Sequence, residues 1–537
     1  MARARLASLG RAPERSRVLP LARAMPPSAR AIARASARLR RALASATPAS
    51  AAPDDGILRV AARGRAFPPP ALPERPSLAR SYAAGIARER TAVTAQLWRA
   101  RMDAARAAGV FDTDAATKPQ DALVPKPPRR HTVRYDFAAN EDLREAYRNP
   151  WNAVRVGRLL EDLDSLAGNI AFEHCDDADR QTRPQLLVTA SVDRVRLVAP
   201  LTLDADVVLA GAVAWVGRSS MVIRMEAWPA DEYDGAVNTK NADEHSGGSP
   251  PEGPERSGSG SGSGSGPSRS LGPSLTADFT FVARDPVTNK GAAVNPLVPD
   301  SPAAEALFAA TAERVAAKKR RLRTLAAGDA GLSEATREAK RRFAARAMAR
   351  ARALLELPAL APPDVVAVDA TRCDNTFVAQ PQQRNLSGRI FGGFLLRRAF
   401  ELAFATTYVF GGARPHFKQV SDMNFLRPVD VGDLLRFRAR VLNARNPGEE
   451  EPGGGDGSTF TRRIDRPCVD VEVEALVTKP EANFAEVSNT FMFKFWVGAA
   501  GEGRTVKTPV PKSPEEAAHV WERCVREDAE DEGGERS

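Results

Sequence analysis

The hydrophobic positions of this chain fall into two successive sets of the same kind. Residues 131–137 (HTVRYDF) alternate as a strand does, and 153–174 (AVRVGRLLEDLDSLAGNIAFEH) place apolar residues at helical spacing. Alternating stretches follow in LLVTASVDRVRLV, DADVVLAGAVAWV, SSMVIRMEAW and SLTADFTFVARD. The set then recurs: VVAVDATRCDNTFVAQ as strand, RIFGGFLLRRAFELA as helix, and VSDMNFLRPV, DLLRFRARVLNA, CVDVEVEALVT and VSNTFMFKFWV as strands. A long helix followed by four antiparallel strands, twice over, predicts an α+β architecture in which each sheet wraps its own helix. Two such units side by side can pair edges into one continuous sheet, which protects strands otherwise open to aggregation.

The punctuation between the sets divides the chain. A leader over 1–50 precedes a Pro-rich and helical extension, 51–128, whose helical pattern lies at 81–109. The first unit spans 129–300 and the second 363–500, with a charged helical connector, 301–362, between them and an acidic tail, 501–537, after them. Within the first unit, 237–274 contains SGSGSGSGSG and cannot bury enough apolar surface to fold, so it reads as a surface loop between strands. A shorter insertion, 446–458, reads the same way, and the terminal EDAEDEGGERS is expected to be disordered. The connector's charge fits a solvated helix better than a nucleic-acid contact.

Charge changes the picture less than its total suggests. The 537 residues carry a formal net charge of +10, which invites a nucleic-acid reading. Yet residues 1–50 hold 11 arginines and a single acid, Glu14, and the remainder is balanced. No nucleic-acid partner is therefore expected. An Arg-, Ala- and Ser-rich, acid-poor leader has the composition of an organelle transit peptide, the arginines favouring the mitochondrial matrix over a plastid. No apolar run reaches the length of a membrane helix, so no stable membrane insertion is expected. The four cysteines, 175, 373, 468 and 524, form no C-x-x-C pair, which argues against a disulfide framework or structural zinc. His174 and Cys175 adjoin, but neighbours on a helix diverge by about 100°, so no metal or other cofactor is expected.

The candidate chemistry lies in QPQQRNLSGRIFGGFLLRRAFELAF, residues 380–404. Gly392 and Gly393 leave backbone N–H groups unobstructed in a helical first turn, where donors lack intrahelical partners and the dipole is positive. Such a turn suits an oxyanion or carbonyl, although glycines there also permit close packing of the helix. Asn385 can aim an amide at the same point, with Ser387 and Gly388 in the turn between. In the first unit, aligning Gly157 with Gly393 sets Asp164 opposite Phe400. Asp164 falls on the small, apolar face of its helix, while Asp162 is expected to point to solvent. A carboxylate on a buried face costs several kcal/mol unless paired or used; catalysis is one reason for it and a structural hydrogen bond another.

These residues, with NAVRVGRLLEDLDSLAG, AWVGRSSMVIRME and FVARDPVTNKGAAVNPLVPDSP, resemble the mitochondrial acyl-CoA thioesterases of double hot-dog architecture, the acyl-coenzyme A thioesterase 9/10-like family, over roughly 120–500. The resemblance implies a tandem hot-dog fold and hydrolysis of fatty acyl-CoA to free fatty acid and CoA. In hot-dog thioesterases a loop of form N-x-x-G-x-x-x-G-G surrounds the thioester carbonyl, and Asn385, Gly388, Gly392 and Gly393 match it. An acid seven residues after the second glycine, from the partner hot dog, is the general base, and Asp164 stands seven after Gly157. The resemblance thus implies a composite site: Asp164 as base, Asn385 and the Gly393 amide around the carbonyl. Arg384 and Arg389 flank the site, where they either meet CoA phosphates or stand as solvated surface arginines, and Gly388 and Gly392 complete the substrate-binding loop. The first repeat is expected to lack the asparagine and the second has Phe400 in place of the acid, so the mirror-related site should be dead, Glu401 being one position off. Assembly into a homo-oligomer of double hot-dog subunits is expected, with chain-length preference left open. The rivals are a hydratase, for which His416 is the nearby histidine, and an acyl-CoA-binding regulatory protein that does not hydrolyse.

Overall fold

The computed structural model describes residues 93–99, 120, 122–179, 181–182, 184–234, 236, 272–385, 388–451 and 462–525. The expected leader, the Gly/Ser run of the 237–274 insert, most of the 446–458 insertion and the terminal EDAEDEGGERS lie outside these residues.

The first repeat runs β1 (His131–Tyr135), α1 (Glu141–Tyr147), α2 (Val156–Cys175), β2 (Leu186–Leu197), β3 (Val207–Val216), β4 (Ser220–Pro229) and β5 (Leu275–Arg284). Two connecting helices follow, α3 (Pro302–Ala326) and α4 (Glu334–Glu356). The second repeat runs β6 (Val365–Ala367), β7 (Cys373–Val378), α5 (Gly392–Gly411), β8 (Pro415–Phe425), β9 (Leu434–Arg445), the short strands β10 (Glu450–Glu451) and β11 (Arg462–Arg463), β12 (Cys468–Lys479) and β13 (Phe484–Val497). β14 (Thr508–Val510) and α6 (Pro514–Val520) close the described chain.

Ten strands form one sheet in the order β1-β3-β4-β5-β2-β8-β13-β12-β9-β7. Taken inward from each edge, the halves have the same order. They join where β2 and β8 pair antiparallel, Ser191 opposite Asn424 through Arg196 opposite Gln419. This is the continuous sheet expected from edge pairing, and each half is a hot dog with a long helix laid on its sheet. The strands expected before the long helices, β1 and β7, join the four that follow each helix and form the outer edges of the sheet.

Period-two alternation puts Phe491, Phe493 and Phe495 of β13 on one buried face, where rings 491 and 493 stack at 6.2 Å and Phe400 of α5 meets Phe493 edge-on at 5.9 Å. Elsewhere the second half is also buried on its other face. Glu472 of β12 is buried, and His519 of α6 lies 2.9 Å from it, with Arg523 and Arg440 each at 3.1 Å. Hydrogen bonds and attraction from those partners hold the Glu472 carboxyl at about 2, against the cost of burial. Residues 501–525 are consequently no tail: β14 pairs parallel with β6, and Val520 and Cys524 pack on Val368, Leu442 and Met492. The acidic end of the chain hid an apolar segment able to dock.

The peripheral helices are capped in the ordinary way, α1 by Asn140, α3 by Ser301, α4 by Ser333 and α6 by Ser513. The two central helices differ. Arg155 before α2 and Phe391 before α5 make no side-chain cap, so both helices present bare N-terminal turns.

Candidate active site

α2 and α5 pack antiparallel across the junction of the halves. Arg155 pairs with Glu401, Arg397 Nη1 lies 2.8 Å from Glu161 Oε2, and Asp164 meets the Gly392–Gly393 turn, so numbers rise on one helix as they fall on the other. The bare turn of each helix therefore faces the middle of its partner. Contact there is close: a Cβ on Gly393 would stand 3.0 Å from the Glu161 carbonyl oxygen and 2.7 Å from the Phe391 ring. Only a residue without a side chain fits at position 393, which explains the glycine by packing alone.

Asp164 is 2% exposed. Burial pushes its carboxyl up to about 7, opposed by the Thr189 hydroxyl, which donates to Oδ1 at 3.0 Å, and by the Gly393 N–H directed at the carboxylate. Its second oxygen, Oδ2, has no hydrogen-bond partner. A Cβ on Gly392 would lie 3.2 Å from that oxygen. The space beside this buried oxygen is thus left by the one residue type without a side chain.

This space belongs to a cavity of about 650 Å³ lined by Asp164, Thr189, Asn385, Arg389 and Gly392, among others. Asn385 is fixed by its own loop: its Oδ1 accepts from Arg389 N–H at 3.1 Å, its carbonyl accepts from Gly388 N–H at 3.1 Å, and its N–H donates to the Arg389 carbonyl. Gly388 holds φ at 88°, the left-handed region in which glycine pays no steric penalty. Arg389, Arg284 and Arg427 give the lining a cationic part. Arg389 is within 3.8 Å of Asp430, and Arg427 pairs with Glu486. Arg384 and Gly388 support the loop without lining the cavity; Arg384 bridges to Ile390. His416 lies on β8 opposite Trp496, also outside the lining.

The mirror junction holds the counterpart. Contrary to expectation, the first repeat does carry the asparagine: Asn149 stands eight residues before Gly157, as Asn385 stands before Gly393. Its loop repeats the bonding, with Asn149 N–H donating to the Ala153 carbonyl at 2.9 Å, Asn152 N–H to the Asn149 carbonyl at 3.1 Å, and Ala153 N–H to Asn149 Oδ1 at 3.0 Å. Asn152 takes the left-handed position at φ 58°, which asparagine tolerates, so the missing glycine concealed the match. What this junction lacks is the acid. A Cβ on Gly157 would be 3.2 Å from Phe400, which packs with Phe404, Phe417, Phe493 and Phe495. Glu401 is turned aside to Arg155 and Arg398.

Asp162, expected to face solvent, is fully buried. Thr94 Oγ1 and Tyr135 OH donate to it at 2.9 Å each, and Tyr147 OH donates to its Oδ2. The reason is that α2 has no solvent face there, being covered by the sheet, by α5 and by helical residues 93–99. That segment, and Thr189, are site components that sequence reasoning missed. Val93 and Leu97 have i, i+4 spacing, a signal of an apolar stripe but not of the surface it covers.

Comparison with known proteins places the chain. Residues 156–236 match the Thioesterase superfamily model. Acyl-coenzyme A thioesterase 4, mitochondrial, of Humulus lupulus is 40% identical over 441 residues, covering 81% of this chain and 73% of the relative. Acyl-coenzyme A thioesterase 2, chloroplastic, of the same plant is 39% identical, covering 81% and 88%. Acyl-coenzyme A thioesterase 9, mitochondrial, of Homo sapiens is 31% identical over 341 residues, covering 61% and 67%. Identity of this extent, carried by a tandem hot-dog fold with a bare helix turn set against a buried acid, makes the chain a member of the acyl-coenzyme A thioesterase family.

Proposed function

We propose that the chain hydrolyses fatty acyl-CoA to free fatty acid and CoA at one composite site, with Asp164 of the first repeat as general base and the Asn385–Gly393 turn of the second as its electrophilic side. The observation that carries this reading is the Asp164 carboxyl, buried in the cavity lining and poised at about 7, with one oxygen beside Gly392 that has no hydrogen-bond partner. A carboxylate with that pKa is a competent base near neutrality. It takes a proton from water as the water oxygen attacks the thioester carbon; collapse of the tetrahedral intermediate breaks the C–S bond, the protonated Asp164 returns the proton to the departing sulfur, and CoA leaves as its thiol. Because the Gly393 N–H is directed at Asp164, the oxyanion falls to the Gly392 N–H in the same uncapped turn, with the helix dipole behind it. The Asn385 NH2 orients the carbonyl or the water, and Arg389, Arg284 and Arg427 meet the CoA phosphates.

The chain is organellar in this reading, acting in the mitochondrial matrix, with a plastid as the alternative, and works as a homo-oligomer of double hot-dog subunits. The leader that would direct it lies outside the described residues. Among the described residues no helix is long and apolar enough to cross a membrane.

The test is thiol release from short, medium and long acyl-CoAs by the native chain and by Asp164→Asn. Release by the native chain and its near-complete loss in the variant are expected. Acyl-CoA binding without thiol release would replace the enzyme with a regulatory binding protein; normal turnover in Asp164→Asn would remove the base.

A further inference from the structure

Residues 93–99 belong to neither hot dog, yet Val93, Thr94, Leu97 and Trp98 are all at most 5% exposed. Thr94 fastens the segment to α2. Its Oγ1 donates to Asp162 at 2.9 Å and lies 2.9 Å from Ser165 Oγ, which can donate in turn. Asp162 is itself locked by two tyrosine hydroxyls, so the anchor is rigid and only two residues from the base. From it Trp98 reaches Phe391 edge-on, 5.2 Å between ring centroids, and both rings line the catalytic cavity.

The cavity lining divides by chemistry. Its exposed part carries Arg284, Arg389 and Arg427; its buried part holds the polar Asp164, Ser165 and Gln185 together with an apolar wall of Trp98, Phe391 and Leu395, each below 8% exposure. An acyl-CoA has phosphates at one end and an apolar chain at the other, and its carbonyl must sit at Asp164. The phosphates belong with the arginines, which sends the chain to the buried wall. We infer that Trp98 is a specificity-determining residue: its indole closes the acyl end of the cavity and sets the longest chain that fits. A segment preceding both hot dogs then selects the substrate for a site built from their junction.

This inference rests on the acyl-CoA hydrolase reading, and the experiment separates the two. Thiol release is measured on the full chain with butyryl-, octanoyl- and palmitoyl-CoA, for native protein, Trp98→Ala and Trp98→Phe. In Trp98→Ala the ratio of kcat/KM for palmitoyl- over butyryl-CoA is expected to rise about tenfold, the scale on which an apolar pocket discriminates chain size. Trp98→Phe, which keeps an aromatic wall of smaller volume, should shift the ratio in the same direction by less. Should Trp98→Ala fail to fold, Trp98→Phe carries the test alone. Unchanged ratios overturn the inference, as does a uniform loss at every chain length, which would make Trp98 a support for Phe391 only. Absence of thiol release from the native chain with all three substrates would instead defeat the underlying reading.

Discussion

The two helix junctions share one plan and differ where chemistry would sit: Gly392 and Asp164 at one stand against Val156 and Phe400 at the other. At one, the bare turn of α5 meets the Asp164 carboxylate in the lining of a cavity; at the other, the bare turn of α2 meets Phe400 inside a cluster of aromatic rings. Both retain the asparagine loop with the same three backbone and side-chain bonds. The loop is therefore not sufficient for a site. It is equally a way of turning the chain into an uncapped helix, and in the proposed mechanism the acid opposite is what adds chemistry to packing.

The contrast can be broken most directly at the acid. Asp164→Asn should lower kcat/KM by about a thousandfold, the range of a lost general base, with the far-ultraviolet circular dichroism unchanged. The reverse exchange should give no second site. Phe400→Asp puts an unpaired carboxylate among rings and is expected to cost about 4 kcal/mol of stability in a denaturant titration, without raising turnover; a gain in turnover would mean the mirror junction is only dormant.

The asparagines sharpen the comparison at smaller scale. Asn385→Ala should reduce kcat by about a hundredfold, as expected when an aligned amide donor is removed, whereas Asn149→Ala should cost about 1 kcal/mol of stability through its lost turn bonds and leave turnover within about twofold.

Next comes pH. The base must be charged, so kcat/KM should climb through about pH 7 and level above it. Stability should move the other way. The Asp164 carboxyl has a folded pKa of about 7, above its unfolded value, so the folded state holds the extra proton and loses stability as pH rises through that window. Asp164→Asn should flatten that dependence and raise the melting temperature by a few degrees above pH about 7 but not at pH about 4; an unaltered pH profile of melting would refute the raised pKa. The smallest effect is at Glu401, where Glu401→Gln should leave turnover within about twofold, because this carboxylate serves Arg155 and Arg398 rather than the cavity.

Much of this was legible in the chain itself, for identifiable reasons. Strands such as β13 alternate cleanly because one face is a phenylalanine ladder, and Asp164 stood out because helical spacing set it on an apolar face. Asp162 was misplaced by the same spacing rule, which assumes a solvent side; α2 has none where residues 93–99 cover it. Thr189 and Trp98 could not be assigned because their roles depend on which strand or segment comes to rest beside α2, a long-range matter that no local period encodes. Asn149 is a different failure: the match was present at the right spacing, but Asn152 stands where the pattern calls for glycine.

The antiparallel seam of β2 with β8 has a consequence for counting. A pair of identical hot dogs joined in this way would present each junction twice and bind two substrates; here one polypeptide contains both halves, and an acid faces the bare turn at one junction while Phe400 faces it at the other. A tight, non-hydrolysable acyl-CoA analogue should therefore saturate at one equivalent per chain, and its occupancy should read out the number of polypeptides in an assembly directly.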